Sequence, residues 1–388
     1  MRGLAEAPAA GLGAACARAE GAPVAGASGD RLRRLSEVSA AADAAARMKR
    51  LGEDPEVRLL RRLQASVRLF DTARGEFVGL VDVLRPGEKL YDADLVCIGE
   101  QHDSDADHTM QRIILDALTH ALLVDLRKGD LTTPQNMSPA HKVSVGVEYF
   151  YREQNDVLDA LIFSGASSKE FLEKSRFQEV WSYDWALYRP LFRYLQLNKT
   201  SLVGLNIPMA KVREVTRSGI ENVDFRSSLP ELDLTVPLHR RRFEDMMQLP
   251  VDQVMERMRS PPDSSTNPKL DRMYASQCLW EEYMSQTANG YLQANAGRMV
   301  LLAGYNHVWR DAIPDRFERQ SARSGSPRRA VSVVPWRWTE ADPARLPRFA
   351  DYLVCMRGAG GGDEVAAAVS AQRARLRTQE RVFPAGFV

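Results

Sequence analysis

Two histidines in this chain follow glycine at the same spacing, in Gly99-x-x-His102 and Gly304-x-x-His307. Each pair comes directly after an apolar run, Leu95-Val-Cys-Ile98 in one case and Met299-Val-Leu-Leu-Ala303 in the other. Acids and amides stand at matching places: Glu100 after the first run, Glu148 after Val143–Val147, and Asn206 after Ser201–Leu205. Two imidazoles and two carboxylates could hold a divalent cation with one position open to water. The metal would lower the pKa of that water and give a hydrolytic nucleophile. Alternatively, a histidine is a general base oriented by a carboxylate, with Asn206 donating to an oxyanion. No Gly-x-Ser-x-Gly elbow, phosphate loop or dinucleotide fingerprint is present.

These side chains meet only if the fold collects the ends of their strands. The apolar runs at 95–98, 143–147, 201–205 and 298–303 read as short buried strands. Val331–Val334 and Tyr352–Val354 add two more, and the stretch Val67 to Val83 reads as a hairpin around a glycine-containing turn. Between the strands lie helical patterns. Met110 to Leu122 carries a stripe of Ile113, Ile114, Ala117, Leu118 and Leu122, with Asp103 or Ser104 as its cap. Others run over Gln154–Phe163, from Ser168, up to Leu197, and up to Gly219. Alternation of strand and helix predicts an α/β fold with a mainly parallel sheet and flanking helices. In such a sheet the carboxyl ends of the strands share one edge, where ligands bind. The glycines of the two Gly-x-x-His signatures are expected to let the backbone turn tightly.

Residues 221–292 interrupt the alternation with two short helical patterns, His239–Met247 and Val251–Met258, then a long helix from Leu270 to Leu292 bearing Gln277, Glu281 and Glu282. We expect a helical insertion, a cap or lid beside the sheet. The cluster Trp181-Ser-Tyr-Asp-Trp185 with Tyr188 is dense in aromatic side chains and reads as core or pocket wall. Residues 127–142 read as an exposed loop, with His141 at the surface.

Length and composition bound the rest. The 388 residues, 44% hydrophobic, allow one large domain or two moderate ones. With 52 basic and 51 acidic residues, no overall field draws the chain to nucleic acid or an anionic membrane. Four cysteines lie far apart with no Cys-x-x-Cys, which points to small buried side chains and not to a disulfide frame or zinc cage. No apolar run reaches the roughly 18 residues needed to cross a bilayer, so a soluble protein is expected. The Ala/Gly-rich residues 1–47 read as a disordered segment or a transit peptide, and 358–388 as a tail. Compartment, oligomeric state and any partner protein are left open.

The fragments Gly-Glu-Gln-His-Asp (99–103), Gly-Val-Glu-Tyr-Phe-Tyr-Arg (146–152), Trp-Ala-Leu-Tyr-Arg-Pro-Leu (185–191), Gly-Leu-Asn-Ile-Pro (204–208), Ala-Ser-Gln-Cys-Leu-Trp-Glu-Glu-Tyr-Met (275–284) and Gly-Tyr-Asn-His (304–307) stand in one order. That order resembles ChaN-like proteins, the haem-binding uptake branch of the Tiki/TraB superfamily, with erythromycin esterases as distant relatives. The resemblance runs from about residue 67 to 355. It implies an α/β fold with a helical insertion and carries over Glu100, His102, Glu148 and His307 as site residues, with Asn206 and Gln277 beside them. It also implies haem or another tetrapyrrole as ligand, for which Tyr149, Tyr305, His307 and Asn206 are the cofactor-binding candidates. The Tiki relatives imply the alternative, a metal-dependent hydrolase using Glu100, His102, Glu148 and His307 as metal ligands or catalytic groups. The chain departs from the family pattern at Tyr305, where a smaller polar residue is usual, and between Val308 and Pro314, where a glycine is usual. It shows no lipoprotein signal, so a role at an outer membrane is not carried over.

Overall fold

A computed structural model describes residues 67–128, 142–247, 267–338 and 348–357, with Arg58, Gln64 and Leu346 besides. The expectations for 1–47, His141, Val251–Met258 and 358–388 lie outside the described residues. Eight strands form one sheet in the order β2-β1-β8-β7-β3-β6-β4-β5. They are β1 Arg68–Asp71, β2 Glu76–Gly79, β3 Leu95–Glu100, β4 Val143–Tyr151, β5 Leu202–Asn206, β6 Arg298–Gly304, β7 Ala330–Trp338 and β8 Tyr352–Arg357. From β8 to β5 every pairing is parallel, and β1 joins β2 and β8 antiparallel at the other side. The sheet is therefore mainly parallel, as the alternation of strands and helices requires.

Helices cover both faces, so the central strands are apolar on both sides. The helices used below are α1 Asp105–Lys128, α2 Asn155–Phe163, α3 Ser168–Ser175, α4 Trp185–Asn198, α5 Met209–Ser218, α6 Pro237–Met246, α7 Pro268–Ala294 and α8 Ile313–Arg323. Alternate side chains divide between two cores. Val96 and Ile98 of β3 join Val300 and Leu302 of β6 under α1, α2 and α4. Leu95 and Cys97 join Met299, Leu301 and Ala303 under α7 and α8. Cys97 and Cys278 are buried free thiols.

The long helix α7 lies directly against the sheet. Its Met284, Ala288 and Leu292 enter the second core, while Leu279 and Tyr283 pack with α5. Among the described residues of 221–292, α6 packs in neither of the two sheet cores. It attaches through a small separate cluster of Phe243, Leu270, Tyr274 and Cys278.

Candidate functional site: two imidazoles bracketed by buried carboxylates

Glu100, His102, Glu148 and His307 meet at the carboxyl edge of the three central strands β3, β6 and β4. The register explains how. Glu100 pairs with Gly304 across β3 and β6, and Val147 pairs with Leu302 across β4 and β6, so Glu148 comes nearly level with the ends of β3 and β6. Glu148 lies inside β4, three residues before its end at Tyr151. Asn206 of β5 fixes it there, donating from Nδ2 to the Glu148 carbonyl at 2.9 Å while its Oδ1 accepts from Ile207 N at 2.8 Å. Both ends of the Asn206 amide are thereby spent on backbone.

The glycines serve close approach. Gly304 has an ordinary φ of −51°. A Cβ at 304 would lie 2.9 Å from His102 Cε1 and Nε2, and one at Gly99 would lie 2.9 Å from Val308 Cγ2 and 3.0 Å from the Tyr305 α-carbon. The tight turn expected from the sequence is thus replaced by a different cause: the missing side chains let the β6 end and the His102 ring come together.

Each Gly-x-x-His imidazole is met at Nδ1 by a glutamate with no solvent exposure, and each glutamate also lies within ion-pair distance of a second buried histidine. Glu100 Oε1 lies 2.9 Å from His102 Nδ1, and Oε2 lies 3.2 Å from His108 Nδ1. Glu281 Oε1 lies 3.3 Å from His307 Nδ1, and Oε2 lies 2.9 Å from His239 Nε2. Glu148 stands between the two arms, with Oε1 3.5 Å from His307 Nε2 and Oε2 accepting from Gly304 N at 2.7 Å. Four of the chain's six histidines belong to this set.

His108 sits in the first turn of α1, which Ser104 caps through Asp107 N at 3.3 Å. Its Nε2 faces the His102 carbonyl at 3.1 Å and its Nδ1 faces Glu100. The His102 carbonyl only accepts, so Nε2 donates; Nδ1 meets Glu100 Oε2 as a close contact without hydrogen-bond geometry, which favours a positive charge on the ring. Burial works against that charge, and Glu100 outweighs burial, raising its pKa. Burial alone would also push the Glu100 carboxyl up, but His108 and His102 overcome it and hold the group at about 2. His102 and His307 are raised against burial too, the first chiefly by its hydrogen bond to Glu100 and the second chiefly by the Glu148 charge. Glu281 is held well below the usual range: burial opposes its ionisation, and His239 and Arg316 prevail. Low dielectric makes these pairs strong and makes each depend on the others.

The wall on the His102 side is aromatic. Trp181 meets the His102 ring edge-on at 4.8 Å between centroids, and Tyr183 lies at 4.9 Å. Tyr188 OH accepts from Trp181 Nε1 at 2.8 Å and donates to the His102 carbonyl at 3.2 Å. Tyr149 is buried among Trp181, Tyr188 and Phe192 and presents no face to solvent. Tyr305, by contrast, is 39% exposed. Gln277 donates to Glu281 Oε1 at 2.8 Å and lies 3.0 Å from His307 Nδ1.

Among the described residues, no group of three or more His, Cys, Asp or Glu side chains is disposed to hold a metal ion. The donor atoms face one another: Glu100 spends both oxygens on imidazoles, and His307 is bracketed by Glu281 and Glu148. The hydrolytic alternative gains no support of its own from this geometry. Among the described residues no helix is long and apolar enough to cross a membrane. Sequence reasoning placed neither His108 nor His239 in the site and carried Glu281 only as one acid of a helix. The signal available was the spacing of Gln277 and Glu281, four apart on one helical face.

A family model described as haem-binding uptake, Tiki superfamily, ChaN matches residues 87–317. Among curated proteins none matches the chain. The fold is similar to that of ChaN of Campylobacter jejuni, whose structure is described as showing cofacial haem binding: 18% identity, 74% of this chain and 95% of that chain, TM-score 0.51. A mutant erythromycin esterase in its open conformation matches at 12% identity over 67% of this chain and 76% of its own, TM-score 0.32. A Bacillus cereus protein matches at 11% identity over 74% and 76%, TM-score 0.30.

Proposed function

The chain belongs to the ChaN haem-binding uptake family of the Tiki superfamily, and on that footing we propose that it binds haem or a related tetrapyrrole at the carboxyl edge of its sheet. The family match across residues 87–317 carries this reading. The residues present suit such a ligand. Tyr305 offers an exposed phenol directly after Gly304, and a tyrosine oxygen is a known axial donor to haem iron. Tyr183, partly exposed beside the His102 ring, supplies an aromatic surface for the macrocycle. Bound haem would bring a redox-active iron, and the protein's part is to hold it and set its surroundings.

His102 and Glu148 contribute as a polar floor in this reading. The Nδ1 of His102 is occupied by Glu100, so its Nε2 is the nitrogen left to meet a ligand or Glu148. Titration of the purified protein with hemin tests the proposal. A saturable Soret shift that Tyr305→Phe alters is the expected result. Absence of any saturable change would remove the proposal.

A further inference from the structure

The insertion helix reaches the carboxylate behind His307 through a buried side chain. His239 of α6 is 2% exposed, although the helix carrying it has Leu238 and Met246 open to solvent. Its Nε2 lies 2.9 Å from Glu281 Oε2 and its Nδ1 lies 3.0 Å from Tyr274 OH. Nε2 also bonds Glu281 Oε1 at 3.2 Å, and that oxygen lies 3.3 Å from His307 Nδ1. Thus two covalently distant segments, α6 and the turn after β6, share one carboxylate on α7.

Helix α6 has other attachments: Arg240 pairs with Asp271 at 2.8 Å and lies 4.6 Å over the Tyr274 ring, and Arg242 lies 5.5 Å over Trp309. Phe243 packs in the small cluster with Leu270, Tyr274 and Cys278. Arg242 pairs with Asp311, and the Met246 sulfur accepts from Asn306 Nδ2 at 3.0 Å. The last two bonds end on the same stretch, 306–311, that follows the Gly-x-x-His turn. Beneath the helix, among His239, Phe243, Met246, Gln277 and Asn306, is a gap of about 10 Å³, room for one water at most.

We infer that His239 is a positioning residue for the site. By holding Glu281 it orients His307 and seats α6 over the Gln277 side, so the order of the helix and the order of the 304–308 turn rise and fall together. The binding part of this inference rests on the tetrapyrrole reading above. The physical cause is the cost of leaving a fully buried carboxylate short of a partner. Arg316 stays 3.3 Å from Oε2 and Gln277 stays on Oε1, yet the carboxylate would lose the imidazole that lies 2.9 Å from Oε2 and bonds Oε1 at 3.2 Å.

The test is amide hydrogen exchange on the full chain, paired with hemin titration. His239→Leu keeps bulk and removes the donor. His239→Gln keeps an N–H that can reach the carboxylate. With leucine, exchange should rise tenfold or more both along Pro237–Met246 and across 304–308, and hemin affinity should fall about tenfold. With glutamine, most of both should return. Faster exchange in α6 alone, with the turn and hemin binding as in the wild type, would overturn the inference, as would unchanged exchange in α6. Should the leucine variant not fold, His239→Asn takes its place, since its amide is too short to span to Glu281. If the wild type takes up no hemin, the tetrapyrrole reading falls, while the exchange comparison still decides the role of His239.

Discussion

The α-carbon of Gly304 lies against the ring of His102, so close that a β-carbon at 304 would stand 2.9 Å from two of its atoms. The contact joins the ends of β6 and β3 and aligns Gly304 N with Glu148 Oε2 at 2.7 Å. Gly304→Ala should therefore act as overpacking at the site. We expect a loss of about 1–3 kcal/mol, the usual range for a methyl forced into a filled space. Urea unfolding of both proteins measures it. A ring shift should also appear in the His102 side-chain signals, and an alanine variant as stable as the wild type with unmoved signals would contradict the packing described.

The Glu100 pairs set a pH dependence whose sign follows from the two partners' opposite displacements. Glu100 is depressed from 4.5 to about 2 on folding. Its contribution is whole above the unfolded value and disappears as pH falls from 4.5 toward 2. His108 is raised above 6.5 on folding. Its contribution is whole below 6.5 and is lost as pH rises through the higher folded value. The window of full stabilisation is therefore between 4.5 and 6.5. A tenfold change in proton affinity is worth about 1.4 kcal/mol, here shared among the coupled groups. Glu100→Gln should be much less stable than wild type at pH 5.5, and the gap should narrow toward pH 3. Denaturant midpoints across pH 3–9 give the curve, and a gap independent of pH would count against the charged pair.

Arg316 makes a prediction on the same carboxylate that meets His239 and His307. Its guanidinium is fully buried, 3.3 Å from Glu281 and 3.4 Å from Glu282. Removing one partner of a buried ion pair leaves a charge uncompensated, at a cost of roughly 3–5 kcal/mol. Arg316→Met should show a loss of that size in thermal or urea unfolding. Glu282 keeps Arg319 at 3.4 Å and Gln320 at 2.6 Å, so adding Glu282→Gln should recover only a minor part of it. A double variant no better than the single one would show that Glu282 does not feel Arg316.

The strands are legible because each is an unbroken apolar run, and a strand buried on both faces needs one. Leu95–Ile98 and Met299–Ala303 fall within β3 and β6, with ends off by one or two residues. β4 is longer than its apolar run. The run closes at Val147, but the chain continues extended to Tyr151, since Tyr149 and Phe150 enter the aromatic core. The meeting of Glu100, His102, Glu148 and His307 follows from parallel topology alone. The partners behind them do not. His239 and Glu281 are 42 positions apart and meet only through the packing of α6 on α7. His108 lies in the same acidic stretch as His102, but the turn into α1 that brings it back onto Glu100 leaves no periodic trace. The glycines are legible as special but not in their cause, because backbone angles can be guessed from residue type and ring contacts across strands cannot.

The central claim is that a tetrapyrrole sits at the carboxyl edge, beside the bracketed imidazoles. Hydrogen-exchange footprinting of the full chain with and without saturating hemin tests it most directly. Slowed exchange concentrated at 100–108, 181–188 and 304–308 is the predicted result. Slowed exchange confined to another surface, such as the groove of about 430 Å³ between Glu231, Gln286 and Arg323, would contradict it, and so would no slowing anywhere.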